Sequence, residues 1–241
     1  MKKNILFIAT LALLALGFTS CEKESAGLTK ITYYAEIALE GESTMIVAKG
    51  SEFVDPGFTA TMKGEDVSDQ VEVSSDVDTS ESGVYSIIYS IVNEDGFTAS
   101  ASRTVIVLDL TNPIEGFWAC SPASYRTNNN SGAVGEYGAS YEILIIGNGD
   151  GTYFVDDLLA GWYAQKAGYG SDYAMQAEIA IDEATGAITL KDSYVPGWSD
   201  AADALSSDAK YDAATQTISY TVTYAGYMDF TVELTKVDLG L

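Results

Sequence analysis

Between Ile31 and Leu108 short β-branched runs are cut by turn residues at intervals too close for helices. Thr104-Val105-Ile106-Val107-Leu108 is β-branched almost throughout, and Tyr85 to Ile91 mixes alternation with a doubly apolar centre. Gly50, Asp55-Pro56-Gly57, Gly64-Glu65-Asp66, Ser82-Gly83 and Asn93-Glu94-Asp95-Gly96 punctuate the runs. Glycine tolerates positive φ, proline presets φ, and Asp or Asn bonds its own backbone, so each cluster is a turn between antiparallel strands. About seven short strands with every turn at the surface predict a β-sandwich.

Composition shifts after the joint at Asp109 to Pro113. All three tryptophans and twelve of the sixteen tyrosines lie beyond residue 113. Strand candidates recur at Gly116 to Tyr125, Ser140 to Ile146, Thr152 to Asp156, Tyr173 to Asp182, Ala187 to Asp192, Ala209 to Tyr211, Thr217 to Tyr224 and Met228 to Val237. Asn148-Gly149-Asp150-Gly151 and Glu183-Ala184-Thr185-Gly186 have hairpin chemistry. An up-and-down, barrel-like antiparallel meander of the lipocalin or streptavidin kind is expected, since closure removes open edges. Trp198 to Leu205 reads as a short helical turn, and Arg126 to Gly132 as a polar, mobile loop. The whole chain is therefore expected to be all-β, a sandwich over 29–110 followed by a barrel-like domain over 113–241.

The first residues carry an address. Met1-Lys2-Lys3-Asn4 is a basic head, Ile5 to Phe18 is an apolar run too short to span a bilayer, and Gly17-Phe18-Thr19-Ser20-Cys21 closes it with small residues. This resembles the lipobox of bacterial lipoproteins, with Phe18 in place of the usual leucine. The resemblance implies a signal peptide over 1–20 and acylation (palmitate among the chains) of Cys21, with two or three chains giving a stable anchor. Residues 21–28 read as a polar tether, and Glu22-Lys23-Glu24 resembles the surface-export signal of Bacteroidota-type lipoproteins. The expected location is the outer membrane, lipid-anchored, with the cell surface ahead of the periplasmic face.

Three segments carry a second resemblance. Gly50 to Ala60, Val77 to Tyr89 and Thr98 to Val105 are similar, in order, to the Gly-x-x-Tyr/Phe-x-Asp-Pro-Gly, Val-Asp-Thr-Ser-x-x-Gly-x-Tyr and Ala-x-Arg-Thr-Val segments of the bacterial Ig-like repeat first described in a pesticidal crystal protein. That resemblance implies a spacer or adhesive module with no catalytic residues to carry over. The second half resembles, through Gly149 to Tyr153 and Pro196 to Trp198, the C-terminal β-module of unknown function that follows one Ig-like unit in lipoproteins beside glycan-uptake loci.

Charge and missing residue types exclude several functions. The chain has 12 basic and 35 acidic side chains, a net charge of −23, and loss of Lys2 and Lys3 takes it to −25. Nucleic-acid partners and anionic headgroups need the opposite balance. Histidine is absent, which removes Ser-His-Asp and Cys-His chemistry and the commonest zinc ligand. Cys120 sits in an apolar stretch and reads as an inert buried thiol. No cofactor or metal is expected: Asn148 to Gly151 faintly matches an EF-hand loop, but the first ligand position falls on Ile146.

The aromatic residues near turns are the best functional lead. Trp162, Tyr163, Tyr169, Tyr173 and Trp198 sit beside glycines, and a flat ring in a loop stacks on the apolar face of a sugar. Asp157, Gln165, Asp172 and Asp200 stand nearby as hydroxyl acceptors, Asp172 foremost. The competing reading is that these rings plug a barrel end, as Trp118 is expected to do in the core. Asp156-Asp157 and Asp200 with Asp203 are paired carboxylates, but neighbours on a strand point to opposite faces, so no enzyme is expected. The expected function is ligand binding, a carbohydrate first. The alternative is a non-catalytic subunit packed against an outer-membrane transporter or another lipoprotein.

Overall fold

The computed structural model describes residues 31–240; the signal peptide, Cys21 and the tether lie outside the described residues. The N-terminal module is a sandwich of two sheets. One holds β1 (Glu36–Leu39), β3 (Phe58–Met62) and β4 (Glu65–Asp66). The other has the order β2 (Thr44–Ala48), β7 (Thr98–Leu108), β6 (Gly83–Val92) and β5 (Glu72–Ser75). β2 runs parallel to β7, while β6 and β7 form a long antiparallel hairpin from Gly83 opposite Val107 to Val92 opposite Thr98. Asn93 turns that hairpin by accepting the N–H groups of Asp95 and Phe97.

The Ig-like signature residues meet in the core. Arg103, fully buried, pairs through Nε with Asp55 Oδ1 at 3.0 Å. Tyr89 donates its hydroxyl to Asp55 Oδ2 at 2.7 Å. The guanidinium also donates to the carbonyls of Glu40, Gly57 and Glu42. Asp55 accepts the Gly57 N–H at 3.2 Å, and Gly57 takes φ +97°, a conformation that disfavours any side chain. The aspartate-proline-glycine turn is thus fastened to the middle of β7 by one saturated cation.

The C-terminal module is one curled antiparallel sheet. Following the hydrogen bonds, β8 (Gly116–Cys120) is joined by β11 (Glu142–Gly147), β12 (Thr152–Val155), β13 (Gln176–Ile181) and β14 (Ile188–Tyr194). On its other side β8 pairs with the last strand, β18 (Met228–Lys236), which pairs with β17 (Thr217–Tyr224). β15 (Ala202–Leu205) and β16 (Lys210–Asp212) hang on β17, and a bridge between Ala187 and Lys210 brings β16 back to β14. The result is the expected barrel-like meander. Its interior is packed solid around Trp118, Phe230, Ile143, Ile145 and Leu159, leaving a void of about 10 Å³.

Two local expectations are corrected. Residues 126–132 are not a free loop: Tyr125–Asn128 is β9 and Ala133–Glu136 is β10, a hairpin laid along the first half of β18. The segment after Trp198 is not helical: Val195 and Asp200 close a tight turn, and 202–205 pairs with β17. Cross-strand hydrogen bonding outweighs the high helix propensity of the alanines there.

The modules share an apolar contact. Ile106 and Leu108 of β7 are buried with Leu144 and Ile146 of β11, flanked by Ile46 and Phe117. Buried Glu115 braces the joint by accepting the Asp109 N–H at 2.9 Å. Lys236 Nζ donates to the Pro113 carbonyl at 2.6 Å.

Candidate functional site

At the end of the C-terminal sheet away from the joint, three segments come together. The β12–β13 connection begins with Asp157, 3% exposed. Its Oδ1 accepts the N–H groups of Leu159 at 3.0 Å and Met175 at 3.1 Å, and its Oδ2 accepts that of Gly161 at 3.0 Å. One carboxylate therefore pins both ends of the loop from 158 to 175. Burial pushes its pKa up to about 7 against the hydrogen bonds, which pull the other way. Neighbouring Asp156, pushed by burial to about 6, accepts the Leu144 N–H at 2.8 Å. Both members of this carboxylate pair are tied to backbone.

Inside the loop the chain reverses through Ala160 and Gly161, both at positive φ, and enters a π turn at Trp162–Lys166. A side chain at Gly161 would lie 2.7 Å from Tyr141 Cβ. This turn sends the adjacent rings apart. Trp162 is 7% exposed and packs edge-on against Tyr137 and Phe230, with Lys166 Nζ 4.6 Å and Arg126 Cζ 4.8 Å from its ring centre. It belongs to the core and does not join the other four predicted rings.

Those four do converge. Tyr163 stacks on Tyr169 with centroids 6.2 Å apart and meets Trp198 edge-on at 4.7 Å. Tyr173 contacts Tyr169 at 5.4 Å and Trp198 at 4.9 Å. Trp198 reaches the group from the β14–β15 turn, where Gly197 donates its N–H to the Asp172 carbonyl at 2.7 Å. The Tyr173 ring lies so close over Gly197 that a Cβ there would sit 2.7 Å from Cε1. Tyr169 is 56% exposed and Trp198 39%, whereas Tyr163 and Tyr173 are half-buried. The cluster is an open aromatic surface with a buried footing.

Of the predicted acceptors, Asp172 is exposed beside Tyr173. Asp200 holds the Tyr224 hydroxyl at 2.8 Å, and Tyr224, its pKa raised by burial first and by that carboxylate second, stacks on Trp198 at 6.3 Å. Asp157 and Gln165 are spent on the fold: Gln165 donates to the Glu142 carbonyl at 2.7 Å. Sequence reasoning missed Tyr224 and Arg126. Tyr224 ends an alternating strand just before Ala225-Gly226, and its place beside that turn was the available signal.

Other chemistry is bounded. Cys120 is buried and its thiol pKa is raised by that burial. Asn148 to Gly151 forms a hairpin turn in which Asp150 accepts from Thr152, and no group of three or more potential metal ligands occurs among the described residues. A cavity of about 660 Å³ opens at the other end of the sheet, near the joint, lined by Pro113, Tyr153, Ile181, Lys210 and Tyr211 among others.

The fold and its joint define a bacterial surface Ig-like module followed by a barrel-like module. A family model for the "Bacterial surface protein, Ig-like domain" matches residues 37–107, and a second, described as a C-terminal domain, matches residues 108–236. The crystal structure of the lipoprotein BT2262 from Bacteroides thetaiotaomicron superposes with a TM-score of 0.70 at 36% identity, covering 84% of this chain and 100% of that one. The chain belongs to the family of that lipoprotein. These matches accord with a place in the cell envelope. The CBM51-2 and INT domains of Clostridium perfringens ZmpB, solved with GlcNAc, give a TM-score of only 0.26 at 17% identity over 86% of this chain and 45% of that one, a likeness that carries no argument. No curated protein matches the chain.

Proposed function

We propose that this is a lipid-anchored protein of the outer membrane, held through Cys21 at the cell surface, whose Ig-like module presents the C-terminal module to a carbohydrate. The observation that supports this most is the meeting of Tyr163, Tyr169, Tyr173 and Trp198 from separate turns into one partly exposed face. Exposed tryptophan and tyrosine held rigid beneath a hydroxyl-accepting rim suit a sugar ring, which offers an apolar face and a polar edge. The placement fits as well. Strands β13, β17 and β18 run between the joint and the aromatic face, so the face stands roughly 25–30 Å beyond the joint at about 3.3 Å per residue.

The deciding experiment is a glycan array with the soluble mature chain, followed by titration of each hit against Trp198→Ala and Tyr169→Ala. Both variants are expected to fold, since exposed rings contribute little to the core, and to lose at least tenfold in affinity. Silence across plant, host and microbial glycans refutes the carbohydrate reading and leaves the aromatic face as a docking surface for a transporter or lipoprotein. Cys21→Ala is expected to release the protein from the membrane fraction. Retention of that variant after a high-salt wash overturns the anchor.

A further inference from the structure

Resting on the carbohydrate reading, we propose that the saccharide is acidic and that Arg126 takes its carboxylate. Arg126 stands opposite Phe230 in the β9–β18 register. Cross-strand partners share a face, so its side chain enters the same end of the barrel that Phe230, Tyr163 and Trp162 occupy. The guanidinium carbon lies over the Trp162 ring, 4.8 Å from its centre. A cation–π contact satisfies none of the guanidinium's N–H donors, which must find partners elsewhere.

Those donors are poorly met. Nε is buried and has no hydrogen-bond partner, Nη1 reaches the Met228 sulfur at 3.9 Å, and the guanidinium also faces the Tyr163 hydroxyl. The Tyr163 hydroxyl beside it also turns to that sulfur, at 3.4 Å. Among the described residues the ion pairs are Lys49 with Glu81 and Arg103 with Asp55. Arg126 takes part in neither. The contrast with Arg103 is direct: there a carboxylate, a tyrosine and three carbonyls saturate the same group. A half-buried arginine with no carboxylate partner beside an exposed aromatic face is a seat for a planar anion, because a carboxylate meets the guanidinium fork in two parallel hydrogen bonds.

The charges are arranged to orient such a ligand. Asp200 sits on the Trp198 and Tyr224 side of the cluster, and Asp172 is next to Tyr173. Arg126 lies on the opposite, Tyr163 and Met228 side. A sugar lying across the rings would place hydroxyls toward the aspartates and its carboxylate toward the arginine. The net negative charge of the rest of the molecule is screened beyond about 8 Å at physiological salt, so the local cation decides.

Three acidic probes and their neutral counterparts test this by calorimetry: polygalacturonate against its methyl ester, hyaluronan oligosaccharide against its carboxyl-reduced form, and sialyllactose against lactose. At least one acidic member is expected to bind tenfold or more tighter than its counterpart, with affinity falling as NaCl rises. Arg126→Met, which keeps the apolar stem, should erase that preference, so that acidic and neutral members bind it alike. Arg126→Lys, which keeps charge but not the fork, should retain part of it. If Arg126→Met fails to fold by circular dichroism, the wild-type preference, its salt dependence and Arg126→Lys decide. Equal binding of acidic and neutral members, both abolished by Trp198→Ala, overturns the role of Arg126 and leaves the aromatic platform standing. A preference unchanged in Arg126→Lys and Arg126→Met also overturns it. Binding of no saccharide at all, here and on the array, overturns both.

Discussion

Asp157 holds the site's longest loop, and its removal has a cost that follows from its three bonds. In Asp157→Ala the N–H groups of Leu159, Gly161 and Met175 lose their acceptor in a place closed to solvent. A buried donor left unsatisfied costs about 1–3 kcal/mol, so ~3 kcal/mol is the floor for three of them. That is a large share of the 5–15 kcal/mol typical of a folded protein. Asp157→Asn is milder. It keeps one oxygen for Leu159 and Met175 but sets an amide NH₂ against the N–H of Gly161, which costs ~1–3 kcal/mol.

The same residue makes stability depend on pH. Its folded pKa of about 7 lies above the unfolded value near 3.9, so its stabilising effect is complete below pH ~4 and is lost as pH rises through 7. Between pH 5 and pH 8 this removes on the order of 2–3 kcal/mol, and Asp156, near 6 in the fold, removes about 1 kcal/mol more with the same sign. The turn aspartates Asp66, Asp78, Asp109, Asp150 and Asp182 are shifted down by their own hydrogen bonds and titrate beneath this window. Urea unfolding at pH 5 and pH 8 measures the difference. The wild type should be clearly more stable at pH 5, and Asp157→Asn should keep only the smaller slope due to Asp156. A wild type equally stable at both pH values, or an Asp157→Asn protein with the full slope, refutes the reasoning.

Three further outcomes are expected. Arg103→Met should cost the Ig-like module about 2–3 kcal/mol in urea, below the range for a fully buried pair because Asp55 keeps some contact with solvent, with partial recovery in Arg103→Met/Asp55→Asn, since the single variant leaves that carboxylate unpaired. Leu144→Asp should separate the unfolding of the two modules into two calorimetric transitions, and a single transition of unchanged shape would refute coupling through this contact. Gly197→Ala should push Tyr173 off its seat, changing near-ultraviolet circular dichroism and weakening glycan binding while lowering stability less than Asp157→Ala does.

What the sequence made legible was turn chemistry and strand runs. Asp55-Pro56-Gly57, Asn93 to Gly96 and Asn148 to Gly151 turn where their side chains and glycines require. Two adjacent rings, Trp162 and Tyr163, could not be told apart, because the π turn after Ala160 and Gly161 sends one inward and one outward, and no local pattern announces such a turn. Arg126 was hidden because a polar segment rich in asparagine looks like a loop until β18 offers it a partner. The contact between the modules left a trace in sequence: Ile143 to Ile146 and Val105 to Leu108 are each apolar at four successive positions, one more face than a half-solvated strand needs. Each run is the cover of the other.

The pairing of β8 with β18 sets a timetable for folding. A chain crossing a membrane from its N-terminus can complete the Ig-like sandwich as soon as β7 emerges, since all seven of its strands are then present. The second module has no such early stopping point. Its first strand pairs early with β11 but finds its second neighbour only when the last strand arrives, a pairing of high contact order and slow closure. Until then β8 offers an open edge, whereas Ile106 and Leu108 at the end of the finished domain wait only for β11 to cover them. A holding chaperone would find its substrate in that interval, and truncations that remove β18 should be cleared by proteolysis even though Tyr163, Tyr169, Tyr173 and Trp198 are still encoded.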